Sequence, residues 1–264
     1  MSTVIVVLPV YNEASRLKTL LDRIHGALGG RAYRIVAVDD GSRDGSDAIL
    51  AQERQHLPVE IVTHAVNRGL AQTLYDGLRC AVEQCGEDDV VVTMDADDTH
   101  DPAYIRPMLA KIEQGYDVVI ASRFQPGAAV VGVPAHRRVF SFGVLLLLRL
   151  LTPIPGVRDY ACGYRAIRAR VLASAFERFG ERLLELRQWG FICTAELLWK
   201  LRVVGARCCE VPFALRYDLK ESTSRMRVAR TIGGYGLLVW KSRVAPEWRP
   251  GPGSRLRRAA NMRP

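Results

Sequence analysis

The sequence has few cysteines and no pair of them at the spacing of a metal or redox motif. Its six cysteines include no C-x-x-C pair, so neither a zinc site nor a dithiol redox site is expected, and we predict reduced thiols. The N-terminus shows neither a basic leader nor a small-residue cleavage site. These absences together predict a cytoplasmic protein.

Three further absences narrow the class of function. A bilayer-spanning helix needs about 20 apolar residues, and the apolar segments 139–151 and 232–240 are shorter than that, so no transmembrane span is expected. Segment 139–151 can instead form an interfacial helix or a core helix. No G-x-G-x-x-G follows the first apolar run, which argues against a dehydrogenase. The basic clusters lack interleaved aromatic residues, so nucleic acid is not an expected partner.

Basic residues are in excess. The 37 Lys and Arg against 28 Asp and Glu give a formal charge of +9, with clusters at 136–138, 165–170, 225–230 and 249–258. Such an excess favours an anionic partner, and a nucleoside diphosphate or an anionic membrane surface would fit. The alternative is a basic face that only contacts solvent.

Short apolar runs alternate with stretches of helical spacing. The predicted strands are 4–8, 34–38, 59–62, 90–94, 118–121 and 207–215, and the predicted helices are 14–28, 46–54, 70–84, 102–114 and 182–204. This alternation predicts an α/β fold with a mostly parallel sheet flanked by helices. We expect one domain over residues 1–245 and a disordered basic tail over 246–264, where proline, glycine and arginine dominate.

Polar residues follow several predicted strands, at the sheet edge where α/β proteins bind ligands. Asp95-Ala96-Asp97 follows the fourth strand, and alternate carboxylates there can bind one Mg²⁺ or Mn²⁺ ion. Asp39 and Asp40 follow the second strand and can accept hydrogen bonds from a base or ribose. Each motif alone is equally typical of a turn or a helix cap.

The ordered set of motifs resembles the family 2 glycosyltransferases, within them the dolichyl- or polyprenyl-phosphate mannosyltransferases and glucosyltransferases. The resemblance covers roughly Val4 to Met226 and implies a GT-A-like fold. The motifs that carry it are Pro9-Val10-Tyr11-Asn12-Glu13, Asp39-Asp40-Gly41-Ser42, Asn67-Arg68-Gly69, Asp95-Ala96-Asp97 and Ser122-Arg123-Phe124.

The resemblance also implies site roles. Residues 1–124 would form the half that binds the nucleotide sugar, and 125–245 the acceptor and membrane-interface half. Asp95 and Asp97 would bind Mg²⁺ or Mn²⁺, and Arg123 would face the donor phosphate. The donor-binding set is Pro9, Tyr11, Glu13, Asp39, Asp40, Gly69, Asp95, Ala96, Asp97 and Arg123. The acceptor-binding set is Arg137, Ser141, Asp159 and Arg165.

The resemblance implies an inverting transfer of a hexose, mannose or glucose, from GDP-mannose or a UDP-sugar to a polyprenyl phosphate, with Asp97 and Arg123 as catalytic residues. A soluble hydroxyl acceptor is the alternative, and Glu196 or Asp159 would then act as base. A catalytically silent nucleotide-sugar binding module is a third reading. The chain departs from the mannosyltransferases at Thr99, where they usually carry glutamine, and in the register of Lys220 to Arg225. The oligomeric state and the phosphate ligand within 216–226 stay open.

Overall fold

A computed structural model describes residues 2–133, 135–189, 192–219 and 228–250, without the side chains of residues 135–141, 219, 228 and 229. The strands are β1 Val4–Val10, β2 Tyr33–Asp39, β3 Val59–Thr63, β4 Val90–Thr93, β5 Val118–Ser122, β6 Ala129–Val131, β7 Arg165–Arg168, β8 Cys208–Pro212 and β9 Ala214–Arg216. The helices are α1 Ala14–Leu28, α2 Ser46–Glu53, α3 Leu70–Gln84, α4 Ile105–Glu113, α5 Ala135–Leu151, α6 Ala169–Phe179, α7 Cys193–Val203 and α8 Val228–Val244. Short 3₁₀ turns lie at Pro102–Tyr104, Gly180–Leu184, Arg187–Trp189, Tyr217–Leu219 and Pro246–Trp248.

The central sheet has seven strands in the order β3-β2-β1-β4-β7-β5-β8. Strands β1 to β4 are mutually parallel where they pair, and β5 pairs in parallel with β8. Strand β7 is antiparallel to both β4 and β5. The mostly parallel α/β fold predicted from the sequence is therefore confirmed, with one inverted strand that the apolar pattern did not reveal.

The core lies on both faces of this sheet. Nearly every residue of β1 is buried, as is typical of a parallel strand covered by helices on both sides. Helix α3 packs on β1 and β2 at Gly77, where an added Cβ would lie 2.6 Å from Val7 Cγ1 and 3.0 Å from Val38 Cγ2. Glycine at this position lets the helix approach the sheet closely.

Two predicted boundaries differ from the structure. The predicted helix over 182–204 is two 3₁₀ turns followed by α7, because the backbone amides of Glu185 and Leu186 turn to bind the Glu196 side chain instead of continuing a helix. The tail predicted to be disordered from residue 246 begins with a 3₁₀ turn, and Trp248 is fully buried with its carbonyl accepting from Trp199 Nε1 at 3.0 Å. Residues 251–264 lie outside the described part of the chain.

No helix among the described residues combines the length and the apolarity needed to cross a bilayer. Helices α5 and α8 are nevertheless apolar on an exposed side, with Phe142, Leu146, Leu147 and Leu150 on α5 and Ile232, Trp240 and Val244 on α8. The two helices contact each other. We call these seven side chains the α5–α8 apolar face.

The glycine contact yields a test of the packing. Gly77→Ala is expected to lower the free energy of unfolding by about 1–3 kcal/mol, because its methyl group overlaps Val7. Gly26→Ala is the matched control, since Gly26 lies in α1 with open space around it, and it is expected to stabilise by about 0.5–1 kcal/mol. Urea unfolding measures both changes. Equal stability of the two variants would contradict the packing.

Candidate active site

The loops after β1 and β2 are hydrogen-bonded to each other. The amide of Asn12 donates to Ser42 Oγ at 3.0 Å, and the amide of Arg43 donates back to Asn12 Oδ1 at 2.8 Å. The amide of Glu13 donates to Ser46 Oγ at 3.0 Å. Asn12 has a φ of +55°, a left-handed conformation that asparagine tolerates better than most residues. These bonds fix the edge on which Pro9, Tyr11 and Glu13 stand, each partly exposed.

The two aspartates after β2 are buried and have different partners. Asp39 Oδ1 accepts from the amide of Ser42 at 3.1 Å. Asp40 accepts from the amides of Arg68 at 2.7 Å and Gly69 at 2.9 Å, and its Oδ1 also lies 2.7 Å from His64 Nδ1. Asp40 therefore shapes the 67–69 loop with both oxygens, whereas the family resemblance implied that Asp40 contacts the nucleotide.

The loop after β4 carries the paired carboxylates. Asp97 is buried, and its Oδ1 accepts from the hydroxyl of Thr99 at 2.7 Å and the amide of Thr99 at 3.2 Å. The Asp95 side chain is half exposed, its backbone amide donates to His100 Nδ1 at 2.9 Å, and its Oδ2 lies 3.7 Å from His100 Nε2. Ala96 between them is buried. The His100 ring stacks on Tyr164 with 5.0 Å between ring centroids, so this loop has a fixed support.

A third carboxylate of this loop points elsewhere. Asp98 has a φ of +60° and pairs with Arg23 of α1, which also lies 2.9 Å from Asp101. Burial raises the pKa of Asp98, and the charge of Arg23 opposes that rise. This ion pair ties the loop after β4 to α1.

Arg123 and Asp159 form a two-pronged ion pair. Arg123 Nε lies 2.8 Å from Asp159 Oδ2 and Nη2 lies 2.7 Å from Oδ1, and the Arg123 amide donates to Oδ2 at 3.1 Å. Burial alone would raise the pKa of Asp159, but the charge and hydrogen bonds of Arg123 hold that pKa below its usual value. The pair therefore stabilises the fold above the ordinary pKa of aspartate, and this stabilisation is lost as the pH falls through the lowered pKa.

One loop joins this ion pair to Asp95. Asp159 Oδ1 accepts from the amide of Cys162 at 3.1 Å, and the next carbonyl, of Gly163, accepts from Thr93 Oγ1 at 2.6 Å. A Cβ on Gly163 would lie 3.7 Å from Asp95 Oδ1. The 159–163 loop thus brings the cationic group and one of the paired carboxylates to the same region.

Two predicted site residues lie in the core instead. Arg165 was expected to line the acceptor side, but it is 1% exposed in β7 and donates to the carbonyls of Thr194 and Tyr160. Glu196 was expected to be a possible base, but it is fully buried and 2.7 Å from Lys200 Nζ, and it accepts from the amides of Glu185 and Leu186. Arg165 joins β7 to the backbone at residues 160 and 194, and Glu196 joins α7 to the backbone at residues 185 and 186.

The other acceptor predictions have mixed outcomes. Arg137 and Ser141 lie in α5, but their side chains are outside the described residues. Asp159 is 1% exposed and bound to Arg123, so it positions that arginine instead of facing an acceptor. All of Lys220 to Arg225, where the register departs from the resemblance, also lies outside the described residues.

Comparison with known proteins identifies the family. Residues 5–176 match the profile of glycosyl transferase family 2, which is more than half of the chain. The chain belongs to glycosyl transferase family 2. Within it, the dolichol-phosphate mannosyltransferase of Pyrococcus furiosus is 32% identical over 209 residues, covering 79% of this chain and 55% of the relative. The chain thus spans about half the length of that relative.

Two more similar proteins are informative, one in sequence and one in fold. The undecaprenyl-phosphate mannosyltransferase of Micrococcus luteus is 30% identical over 221 residues, covering 83% of this chain and 86% of the relative. The glucosyl-3-phosphoglycerate synthase of Mycobacterium tuberculosis, crystallised with Mn²⁺, uridine diphosphate and phosphoglyceric acid, has a TM-score of 0.62 at 16% identity, covering 90% of this chain and 78% of that one. The second likeness is one of fold alone, the GT-A fold.

The paired carboxylates suit a divalent cation. Within the described residues, no three His, Cys, Asp or Glu side chains converge as a complete metal cage. Mg²⁺ commonly takes only one or two carboxylates and completes its shell with substrate phosphates and water. Asp95 and Asp97, at the end of β4, therefore supply donors of the right type and number for a cation that arrives with a diphosphate.

Sequence reasoning missed several supporting residues. His64, His100 and Arg23 hold the site loops, and each is distant in sequence or chemically unremarkable in its own segment. Only His100 had a usable signal, because it lies three residues after the Asp95-Ala96-Asp97 motif. His64 and Arg23 are recognisable only through partners 12 or more residues away along the chain.

The placement of Glu196 can be tested by removing its charge. Glu196→Gln is expected to lower the free energy of unfolding by about 3 kcal/mol, because Lys200 stays buried without its anion. The folded fraction is expected to keep its turnover. Urea unfolding and turnover per folded molecule measure the two effects, with exposed Glu87→Gln as the control. A stable variant that has lost turnover would restore Glu196 as a base.

Proposed function

We propose that this protein is an inverting, metal-dependent glycosyltransferase that moves a hexose, mannose or glucose, from GDP-mannose or a UDP-sugar to a polyprenyl or dolichyl phosphate. The observation that carries the proposal is the 159–163 loop, which binds Arg123 and abuts Asp95. A fixed cation and a pair of carboxylates in one region fit the diphosphate of a nucleotide sugar. The relatives named for polyprenyl-type phosphate acceptors support the choice of acceptor.

In the proposed transfer, residues of this site would stabilise the leaving diphosphate and bind the nucleotide. The acceptor oxygen attacks the anomeric carbon from the face opposite the diphosphate, the bond from that carbon to the diphosphate oxygen breaks, and the configuration inverts. Arg123, fixed by Asp159, would stabilise negative charge that develops on the leaving diphosphate. A bound Mg²⁺ or Mn²⁺ at Asp95 and Asp97 would supply Lewis-acid stabilisation of the same charge. Tyr11 and Asp39 would contact the base and ribose.

The burial of Glu196 and Asp159 favours a phosphate acceptor over a hydroxyl acceptor. A hydroxyl acceptor needs a base to take its proton, and the sequence candidates for that role were Glu196 and Asp159. Both are buried and ion-paired, with Lys200 and Arg123 respectively. A phosphate monoester is already ionised near neutral pH, since its second pKa is about 6, and needs no such base.

The α5–α8 apolar face suits peripheral contact with the membrane that would hold such an acceptor. Its seven side chains are large and between 40% and 69% exposed. Arg149 on α5 and Arg230 and Arg243 on α8 are also exposed, and basic residues beside an apolar face favour an anionic lipid surface. The protein would then work at the cytoplasmic face of the membrane.

The decisive experiment measures release of nucleoside diphosphate from a panel of GDP- and UDP-sugars, with Mn²⁺, Mg²⁺ or chelator and with or without polyprenyl phosphate in detergent. Release that requires both cation and lipid phosphate is expected, and the panel names the sugar. Turnover that ignores the lipid but rises with a soluble hydroxyl acceptor would contradict the proposed acceptor. Nucleotide-sugar binding without any transfer would indicate a catalytically silent module.

If Asp97 binds the metal ion, removing its charge should reduce turnover. Asp97→Asn is expected to reduce turnover about 100-fold or more, because the developing charge loses its cation while the side chain keeps its size. The measurement is turnover together with Mn²⁺ binding in the presence of nucleoside diphosphate. Asp47→Asn, at an exposed position in α2, is the matched control. Wild-type Mn²⁺ affinity in the Asp97 variant would contradict the assignment.

If the α5–α8 apolar face contacts the membrane, placing a charge on it should weaken binding to lipid vesicles. Leu150→Glu and Trp240→Glu are each expected to weaken binding to phosphatidylglycerol-containing vesicles about tenfold, the effect of withdrawing one large apolar side chain from the interface. Vesicle cosedimentation measures this. Val66→Glu is the control, because Val66 is 63% exposed but lies outside the α5–α8 apolar face. Equal weakening by all three variants would show that charge alone, and not this face, controls binding.

A further inference from the structure

His64 stands directly after β3 and is nearly buried between two carboxylates. Its Nδ1 lies 2.7 Å from Asp40 Oδ1 and its Nε2 lies 3.0 Å from Asp76 Oδ2. Each ring nitrogen thus lies within hydrogen-bond distance of one carboxylate. The imidazole is therefore a bridge between the end of β2 and helix α3.

On the Asp40 side, the bridge reaches the loop that begins α3. The same Asp40 carboxylate accepts the amides of Arg68 and Gly69, and Gly69 has a φ of +87° immediately before the helix. A Cβ at Gly41 would lie 2.9 Å from the carbonyl carbon of Val66. The backbone after β2 and the backbone after β3 are thus closely packed, and His64 is a side-chain link that fixes the carboxylate between them.

On the Asp76 side, the bridge continues into the second half of the chain. Asp76 accepts from Gln72 Nε2 at 2.8 Å, and Gln72 Oε1 accepts from Arg187. Arg187 lies over the Tyr75 ring, 4.6 Å from its centroid, and donates from Nε to the carbonyl of Leu184. A chain of polar contacts therefore runs from the end of β2 to the 3₁₀ turn at Arg187–Trp189.

We propose that His64 is a positioning residue for the donor nucleotide. It orients Asp40, and Asp40 in turn holds the 67–69 loop against the strand end where the base and ribose would bind. This inference rests on the proposed function, because it assumes that a nucleotide occupies that edge. His64 itself touches no reacting atom, so its loss acts on donor affinity and not on the chemical step.

Two substitutions separate the contacts of His64. Asparagine places its amide near the position of Nδ1 and can still donate to Asp40, whereas glutamine places its amide near Nε2 and can still donate to Asp76. We expect His64→Gln to weaken binding of nucleoside diphosphate about tenfold, the effect of one hydrogen bond to a charged group. His64→Asn is expected to stay within about twofold of wild type.

The experiment measures calorimetric binding of GDP and UDP with Mn²⁺ to the full chain, and then KM and kcat with the preferred nucleotide sugar. The control is His56→Gln, an exposed histidine in the turn after α2. The expected result is a higher Kd and donor KM for His64→Gln with unchanged kcat. If this variant does not fold, His64→Ala is measured with and without imidazole, and recovery of nucleotide affinity on adding imidazole is expected.

The inference is overturned if folded His64→Gln binds nucleotide as wild type does, if its effect falls on kcat alone, or if imidazole restores nothing to His64→Ala. Failure of the wild-type protein to bind any nucleotide would instead overturn the proposed function, and this inference with it. Because the wild type is measured first, the two failures are distinguishable.

Discussion

Buried carboxylates that accept hydrogen bonds from the backbone of a second segment are the interaction on which this site depends. Asp40 binds the amides of the 67–69 loop, Asp159 that of Arg123, and Glu196 those of residues 185 and 186. Glu210 binds the amides of Arg158 and Asp159, each at 2.6 Å. A buried carboxylate is costly unless its oxygens are satisfied, so each one fixes the loop that satisfies it.

The carboxylates of this region fall into two groups, those that hold loops in place and those that we propose bind a metal ion. The four shaping carboxylates are bound to amides, a histidine, an arginine or a lysine. Asp95 and Asp97, in the loop after β4, are the residues that we propose as ligands for a cation carried in by a diphosphate. Thr99 and His100 orient that pair with a hydroxyl and an imidazole, neither of which adds negative charge to it.

The positive charge of the site is organised in the same way. Arg123 is held by both oxygens of Asp159, so its guanidinium orientation is set before any substrate binds. Preorganised charge of this kind stabilises a developing anion without reorganisation at the moment of reaction. Arg165, only a few residues beyond Asp159 in sequence, has no such role, because β7 inserts it between β4 and β5 where its side chain reaches carbonyls of the core.

Local patterns determined much of this protein. Apolar runs of strand length separated by helical periods were enough to predict a mostly parallel α/β sheet, and the ordered motifs at Pro9, Asp39, Asp95 and Arg123 were enough to identify the family. Such features are readable because strand burial and the chemistry of strand ends depend on neighbouring residues. They also predicted that Asp39 and Asp95 lie at one edge of the sheet, since the carboxyl ends of parallel strands meet there.

The tertiary structure alone decided which polar residues face the site and which support it. Asp40, Asp159, Arg165 and Glu196 are acidic or basic residues in motif-like segments, and nothing local distinguishes a ligand-binding carboxylate from one that binds a distant amide. The antiparallel insertion of β7 and the burial of Trp248 likewise depend on contacts with remote segments. Residue type and spacing determined where charge gathers along the chain, whereas long-range hydrogen bonds determined what each charge is used for.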